Sequence, residues 1–519
     1  MKKLILMEGL IMNEKTNLGL SVLLTGLVLG LLTDLLLQIT PWGLNFTIWM
    51  AALTAGLLLL LRHWEPEWLK NDRWLFLPVI LFAAAFTGRD SPALKTLNFV
   101  ALFAGLSLIT MRAQLIPIHL AGVLRYLYGI ALTGINTLVG ILPLFFVDIK
   151  WGEIPRKGWS HHAVAVGRGL LLAFPLLFVF GGLLMAADAI FEGIIKNIFG
   201  INWEEFFKHS FFIGLGLWFT AGFLRGLFFG KELTFSPNSE IKAPSLGIVE
   251  TSVTLGLLNL LFLIFVIVQL RYFFGGASLV EVTEGLTYSE YARRGFFELV
   301  TASGLALPLL LGGHWLLNKE NLKNERIFRW LAGFLILLLF VVMVSAFQRM
   351  RLYQNEYGLT ELRLYTTAFM GWLAIVFVWF AATVLRGIRE RFTFGAVVAG
   401  FVAIFALQVI NPDALIVRTN VSLAKSGKSF DVYYATSLSA DAVSSLVSAL
   451  PELNPKDRCN VAGRILHNWP STAGSDWRSW SWGQAQARRI VKENEGALQE
   501  AINSWRFENI PVPTQPPPP

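Results

Sequence analysis

The chain has 519 residues, 55% of them hydrophobic and only 15% charged, with a formal net charge of +8. A soluble chain would carry about 25% charged residues, so the soluble classes are excluded. The apolar runs do not alternate with period two, so a β-barrel is excluded as well. Mean hydropathy is +0.57, and several apolar runs approach the roughly 20 residues needed to cross about 30 Å of hydrocarbon. The expected fold is all-α: a polytopic transmembrane helical bundle of about 11–13 spans with a small helical C-terminal extramembrane domain. The lipid bilayer is the expected partner. No Lys/Arg cluster with interleaved aromatics points to nucleic acid, and no protein partner is identified. The single Cys459 permits no internal disulfide and leaves the compartment undefined.

The N-terminal segment 1–17 starts like a signal peptide, but Glu8 interrupts its apolar run, and no small-residue cleavage pattern follows the next one. Residues 18–410 form the expected transmembrane domain. Spans are predicted at 18–37, 44–61, 74–87, 96–111, 126–147, 168–187, 206–229, 251–270, 296–316, 328–347, 364–385 and 394–410. The third, WLFLPVILFAAAFT, is short and compatible with an interfacial or re-entrant piece. The fifth is interrupted by Asn136 and preceded by Arg125. Trp42, Trp64, Trp68, Trp74, Trp151, Trp203, Tyr272 and Trp330 cluster near span ends, as an aromatic belt does.

Charge gathers at two turns. In YSEYARRGFFELV the residues Glu290, Arg294 and Glu298 are spaced i, i+4, i+8 and share one helix face, with Arg293 beside them. Thr287 followed by Glu290 fits a capping box. Glu298 is expected about a turn inside the apolar run, where a carboxylate needs a countercharge, and Arg294 is the nearest. The second turn, QRMRLYQNEYGLTELRLY, holds Arg349, Arg351, Glu356, Glu361 and Arg363, and Tyr357, Glu361 and Tyr365 are again spaced i, i+4, i+8. Both turns carry Gly-Leu-Thr, at 285–287 and 358–360, with two spans between. This suggests a parallel duplication of a hairpin, as in transporter folds. The candidate polar cluster is therefore Glu290, Arg293, Arg294, Glu298, Arg351, Tyr357, Glu361 and Arg363. The plainer alternative is that these arginines snorkel to the interface beside solvated acids. Two spans separate the turns, so they share a side of the membrane, and the C-terminal domain faces that side. The late loops opposite them are richer in Lys/Arg, which puts the turns and the C-terminal domain outside. The first loops argue the other way if all twelve spans cross; dropping the third removes the conflict.

From 411 to 506 the composition becomes polar and helical. Ser439 and Asn454 are candidate N-caps, the latter with Pro455 at the first helical position, and a further helix is expected within 483–505. Trp469, Trp477, Trp480 and Trp482 are expected in the core of this small domain, with the membrane surface as the alternative. Residues 507–519 are a Pro-rich tail expected to be disordered.

The strings LTYSEYARRGFFELV, RMRLYQNEYGLTELRLY, NPDALIVRTNV, YYATSLSADAV and DWRSWSWGQAQARRI resemble the bacterial multi-pass membrane family called domain of unknown function 4173, related to 4153. The resemblance covers roughly 120–490. It implies an integral protein of the bacterial cytoplasmic membrane and no activity. The last string departs from the family, with Ser481-Trp482-Gly483 where members carry Asn-Leu-Ser.

Chemistry is sparse. HExxH, CxxC, GxSxG, Walker A and GxGxxG are all missing from the sequence, so no metal, cofactor or enzyme activity is expected. His161 and His162 are adjacent and point about 100° apart on a helix. Asp34 and Asp188 are read as interfacial carboxylates rather than a proton relay. Two functions fit: transport of an ion or small molecule through the bundle, or a non-transporting sensor or scaffold whose C-terminal domain docks on the charged turns.

Overall fold

The computed structural model describes residues 14–64, 71–153, 160–188, 203–230, 247–281, 296–317, 322–470 and 476–509. The fold is all-α, and nine helices among the described residues are long and apolar enough to cross a membrane. The protein is a multi-pass membrane protein.

The apolar runs become α1 (Glu14–Leu37), α2 (Leu44–Trp64), α3 (Phe76–Gly88), α4 (Pro92–Ala113), α5 (Val123–Val139), α6 (Ser160–Ala187), α7 (Trp203–Phe229), α8 (Ile248–Glu281), α9 (Phe296–Leu316), α10 (Leu322–Tyr357), α11 (Glu361–Thr383) and α12 (Phe392–Ile410). Six shorter helices follow: α13 (Pro412–Lys425), α14 (Val432–Ser437), α15 (Val443–Ala449), α16 (Pro455–Asn468), α17 (Trp482–Glu493) and α18 (Glu495–Asn509). Ser439 and Asn454 cap as their sequence suggests, accepting the backbone N–H of Asp441 and Asp457. The single helix expected within 483–505 is instead two, broken at Asn494.

Close approach of α1 and α7 organises the first half. They run antiparallel: Asp34 meets His209 and Gly26 lies against Ala221. A Cβ on Gly30 would stand 2.5 Å from the Ile213 carbonyl oxygen, so only glycine allows this spacing. Lipid tails are as apolar as the helices, so close backbone packing rather than a hydrophobic drive holds such pairs. The short α3 still reaches both ends of the bundle. Asp72 before it pairs with Arg112 at one end, and the Ala83 carbonyl accepts from Thr47 Oγ1 at the other.

The fifth expected span does not cross. α5 starts beside the end of α4, with the Tyr126 hydroxyl donating to the Ile118 carbonyl. It climbs along α7 until Trp218 Nε1 donates to the Leu138 carbonyl at 2.7 Å. At Gly140 the chain bends by 56° and passes into a π-helical turn, Leu144–Asp148. It then returns towards its starting end, because Ile149 packs on Gly19 near the beginning of α1 and Asp148 pairs with Arg225 near the end of α7. Asn136 is the interruption visible in the sequence. Its side chain occupies the space over Gly226 and its Oδ1 accepts from Arg225 Nη1 at 3.4 Å. α6 then ends beside the start of α7, where Gly181 faces Phe207. So α1–α4 and α6–α12 run from end to end, and residue 14 lies at the end opposite Asn411. The conflict between early and late loops disappears through the fifth segment, whereas the third does reach both ends.

The second half has its own core, centred on Phe328, Leu339, Val376, Phe377 and Phe380. α8 and α10 run parallel: Asn259 Nδ2 donates to the Leu331 carbonyl and Gln269 Oε1 accepts from Ser345 Oγ. These are the helices that precede the two Gly-Leu-Thr turns. α12 joins the halves, burying Phe392 in the second core while Val397, Phe401 and Ile404 pack on the first. A third core, including Ile416, Val417, Val443, Val461 and Val491, holds the C-terminal helices together.

The re-entrant path is testable by thiol labelling in a Cys459→Ser background. Pro117→Cys and Gly152→Cys should react with an impermeant maleimide from the same side of the membrane. Labelling from opposite sides would make 123–148 a crossing.

Candidate functional site

The C-terminal helices sit over one end of the bundle, and polar groups fill the seam. The linker defines the geometry. Asn411 takes φ 55°, a left-handed conformation in which asparagine is favoured among side-chain-bearing residues, and Pro412 starts α13 directly after it. Asn411 Oδ1 caps α13 by accepting from Ala414 N, and its Nδ2 donates to the Asp441 carbonyl at 3.2 Å. One residue thus ends the last span, starts the next helix and holds α15's approach.

Asp441 is the centre of the seam. Its Oδ2 accepts from the backbone N–H of Asp90 at 2.7 Å and of Ser91 at 3.1 Å, and Arg89 lies 4.0 Å from its Oδ1. Those amides lead into the N-terminus of α4, where the helix dipole favours an anion. Asp90 in turn is held by Lys95 and Gln484 at 2.9 and 3.0 Å. Arg89 Nε donates to the Gln408 carbonyl, and Gln408 Nε2 donates to Asn98 Oδ1. Asp413, 1% exposed, accepts from the Ser439 hydroxyl at 2.5 Å and the Ser439 amide at 3.2 Å, all through Oδ2. Its Oδ1 has no partner among the described residues, nor has the buried Ser91 Oγ. The Tyr365 hydroxyl, on α11, comes towards Ser91 and is also left without a well-formed hydrogen bond. Burial pushes the Asp413 and Asp441 carboxyls above the ordinary carboxylate range. It outweighs the Ser439 hydrogen bonds on Asp413, and the Asp90 amide and Arg89 on Asp441.

The second Gly-Leu-Thr turn docks on the same helices. Asn420 of α13 reads the backbone of Leu359 in both directions, its Oδ1 accepting from Leu359 N at 2.6 Å and its Nδ2 donating to Leu359 O at 2.9 Å. Gly358 has φ 76°, and a Cβ there would also strike the Asn420 amide. The Leu359 side chain enters the third core. The Tyr434 hydroxyl accepts from Glu361 N at 2.8 Å, and burial pushes its ionisation up. Two more loops join: Trp480 O accepts from Leu44 N, and Arg478 donates to the Leu35 carbonyl.

The sequence candidates divide accordingly. Glu290, Arg293 and Arg294 lie outside the described residues, as do the first Gly-Leu-Thr and its capping box. Glu298 is exposed on α9, next to the residues that lie outside the described ones. Arg351 is exposed over the Phe347 ring, and Tyr357 is 53% exposed against Tyr353. Arg363 braces the turn, donating to the Tyr357 and Gly358 carbonyls with its guanidinium 4.0 Å from the Tyr353 ring centre. Glu361 is partly buried at the seam. Tyr365 belongs to the stripe Tyr357, Glu361, Tyr365 that the sequence marks, whereas Asp413, Asp441 and Asn420 carry no such mark. These three lie in strings quoted for the resemblance, but polar residues outside the spans read as solvated until folding brings them under the bundle. Asp34, expected to be solvated at the interface, is paired with His209 from a distant helix and with Gln38 from its own turn. Trp477 and Trp482 are 58% and 59% exposed, which corrects their expected core position.

No group of three or more potential metal-ligating side chains occurs among the described residues. A polar groove of about 280 Å³ opens between α13 and α15. In it Lys425 is paired with Glu452, and Arg418 Nε donates to Ser445 Oγ at 3.3 Å.

Removing Asn420's side chain leaves the Leu359 amide and carbonyl unsatisfied, a loss of about 1–3 kcal/mol. Asn420→Ala should therefore speed proteolysis of the 426–428 loop in detergent, and Asp441→Ala should do so more strongly. Cleavage at the unaltered rate in both variants would show that these contacts do not hold the seam.

Comparison with known proteins gives one family match. The model described as Domain of unknown function (DUF4153) covers residues 76–449, which includes both Asp413 and Asp441. No curated protein and no solved structure matches the chain.

Proposed function

Because the chain belongs to the domain of unknown function 4153 family, whose description carries no activity, we propose from the geometry that it is a non-transporting membrane scaffold with a proton-sensitive clamp. The C-terminal helices are the clamp, the loops at 38–43, 88–92 and 358–360 are its seat, and release exposes the seat or the helices to a partner. The observation that carries this reading is the burial of Asp413 and Asp441 between the two parts, each with a raised pKa. Glu361 and Asp90 add negative charge near Asp413, and Arg89 adds positive charge near Asp441.

The sign follows from linkage. The docked state binds these protons more tightly than the released state, so docking strengthens as pH falls through the raised value and weakens as pH rises. The window opens at the ordinary Asp value of 3.8 and extends upward. Protection of α13–α15 against hydrogen exchange, taken relative to the intrinsic amide rate at each pH, should rise on acidification, and Asp413→Asn together with Asp441→Asn should flatten that dependence. An unchanged slope in the double variant would remove the proton from the mechanism.

We place the protein in the bacterial cytoplasmic membrane with the clamp outside. Basic residues crowd the connections at the opposite end, among them Arg62, Arg73, Lys150, Lys323, Arg386 and Arg391. The positive-inside rule puts that end in the cytoplasm. In intact cells the thiols at 117 and 152 should then be shielded from the impermeant reagent.

Transport is the second reading. It draws on the re-entrant α5 and on the buried Asp148–Arg225 pair, whose side chains are only 5% and 7% exposed. Broken helices and intramembrane charges are common features of transport pathways. Ion flux in proteoliposomes that persists after deletion of 412–519 would favour it over the clamp.

A further inference from the structure

At the end opposite the clamp, a cavity of about 440 Å³ lies between the start of α5, the second half of α9 and the start of α12. Leu127, Leu311, Trp315 and Phe392 give it apolar walls, and Arg125 and Arg389 stand at its margin. Part of the wall is bare backbone: a Cβ on Gly122 or Gly312 would meet no atom within 4 Å. Thr393, 8% exposed, also lines the space, and its hydroxyl has no partner among the described residues. Neither arginine makes an ion pair among the described residues. Glu390 is the one acidic neighbour in the lining; it is exposed and flanked by Arg389 and Arg391.

We propose that this cavity binds one anionic glycerophospholipid, its phosphate between Arg125 and Arg389 and an acyl chain along Leu127, Leu311 and Trp315. The volume falls in the usual range of roughly 300–1,000 Å³ for ligand sites. Guanidinium groups match phosphate oxygens in geometry as well as charge. The site lies at the basic end of the bundle, where helix-lined pockets meet anionic headgroups. A soluble phosphate would leave the apolar walls uncovered, and a choline headgroup would bring a cation against two others. The position also gives the lipid a structural consequence. Val123 of α5 packs against the second core, so a lipid seated here bridges the two halves where α5 turns into the membrane.

The test is native mass spectrometry of the full chain released from nanodiscs with equal amounts of phosphatidylglycerol and phosphatidylcholine. The wild type should retain phosphatidylglycerol selectively. Arg125→Ala with Arg389→Ala should lower retention by about tenfold or more, the loss expected for charge-assisted contacts. Gly312→Leu, which extends into open space, should displace the lipid without disturbing the fold. Arg62→Ala, a basic residue at the same end outside the cavity, should leave retention unchanged. Equal retention of both lipids, wild-type retention in the arginine and Gly312 variants, or displacement by millimolar inorganic phosphate would each overturn the proposal.

Discussion

The docked end of the molecule depends on one desolvated carboxylate. Asp441 has exchanged water for two backbone amides at the start of α4 and for the nearby Arg89. A buried charge without such partners costs several kcal/mol, so the carboxylate fixes where the 88–92 loop must lie relative to α15. Asn411 carries the same constraint into the last span by bonding the Asp441 backbone. Three segments remote in sequence are thereby registered on a single residue. Asp413 repeats the arrangement less completely, with one oxygen satisfied by Ser439 and the other unpaired. Burial, more than that imbalance, raises the proton affinity of both carboxyls.

The bundle follows a different rule. Its helices gain nothing from hiding apolar surface from lipid, so approach distance and internal polar contacts decide who packs on whom. Gly26 and Gly30 let α1 touch α7, and Gly222 and Gly226 on α7 receive α5. The π turn after Gly140 buries Leu144 and Phe145, leaves Phe146 and Val147 exposed, and brings Asp148 to Arg225 inside the protein. Two cores result, and α12 packs on both, as the start of α5 does through Tyr126 and Val123. The cavity lined by Arg125 and Arg389 lies at one end of this junction and the C-terminal helices at the other.

The charged turn at 349–363 has a mainly architectural part. Arg363 spends its donors on the turn's own carbonyls, and Gly358 supplies the positive φ that lets Asn420 reach the Leu359 backbone. The surface pair Lys428–Glu356 is largely exposed and contributes little beside these contacts. Specificity of docking therefore comes from a side-chain amide reading main-chain groups, with the charges arranged around it.

The sequence by itself determined the membrane class, the helical fold and the positions of nearly all the apolar helices, because each rests on a local property: apolar length, helix period and caps such as Asn454. It also marked Asn136 as an anomaly in the fifth run. Only tertiary structure decided what the anomaly meant, since Asn136 turns away from a crossing path through Arg225 and Asp148, neither of them its neighbour in the chain. The same holds for the seam. Asp413 and Asp441 look like ordinary surface acids, and Asp441 is covered only when Asp90 and Ser91, 350 and more positions away, close over it.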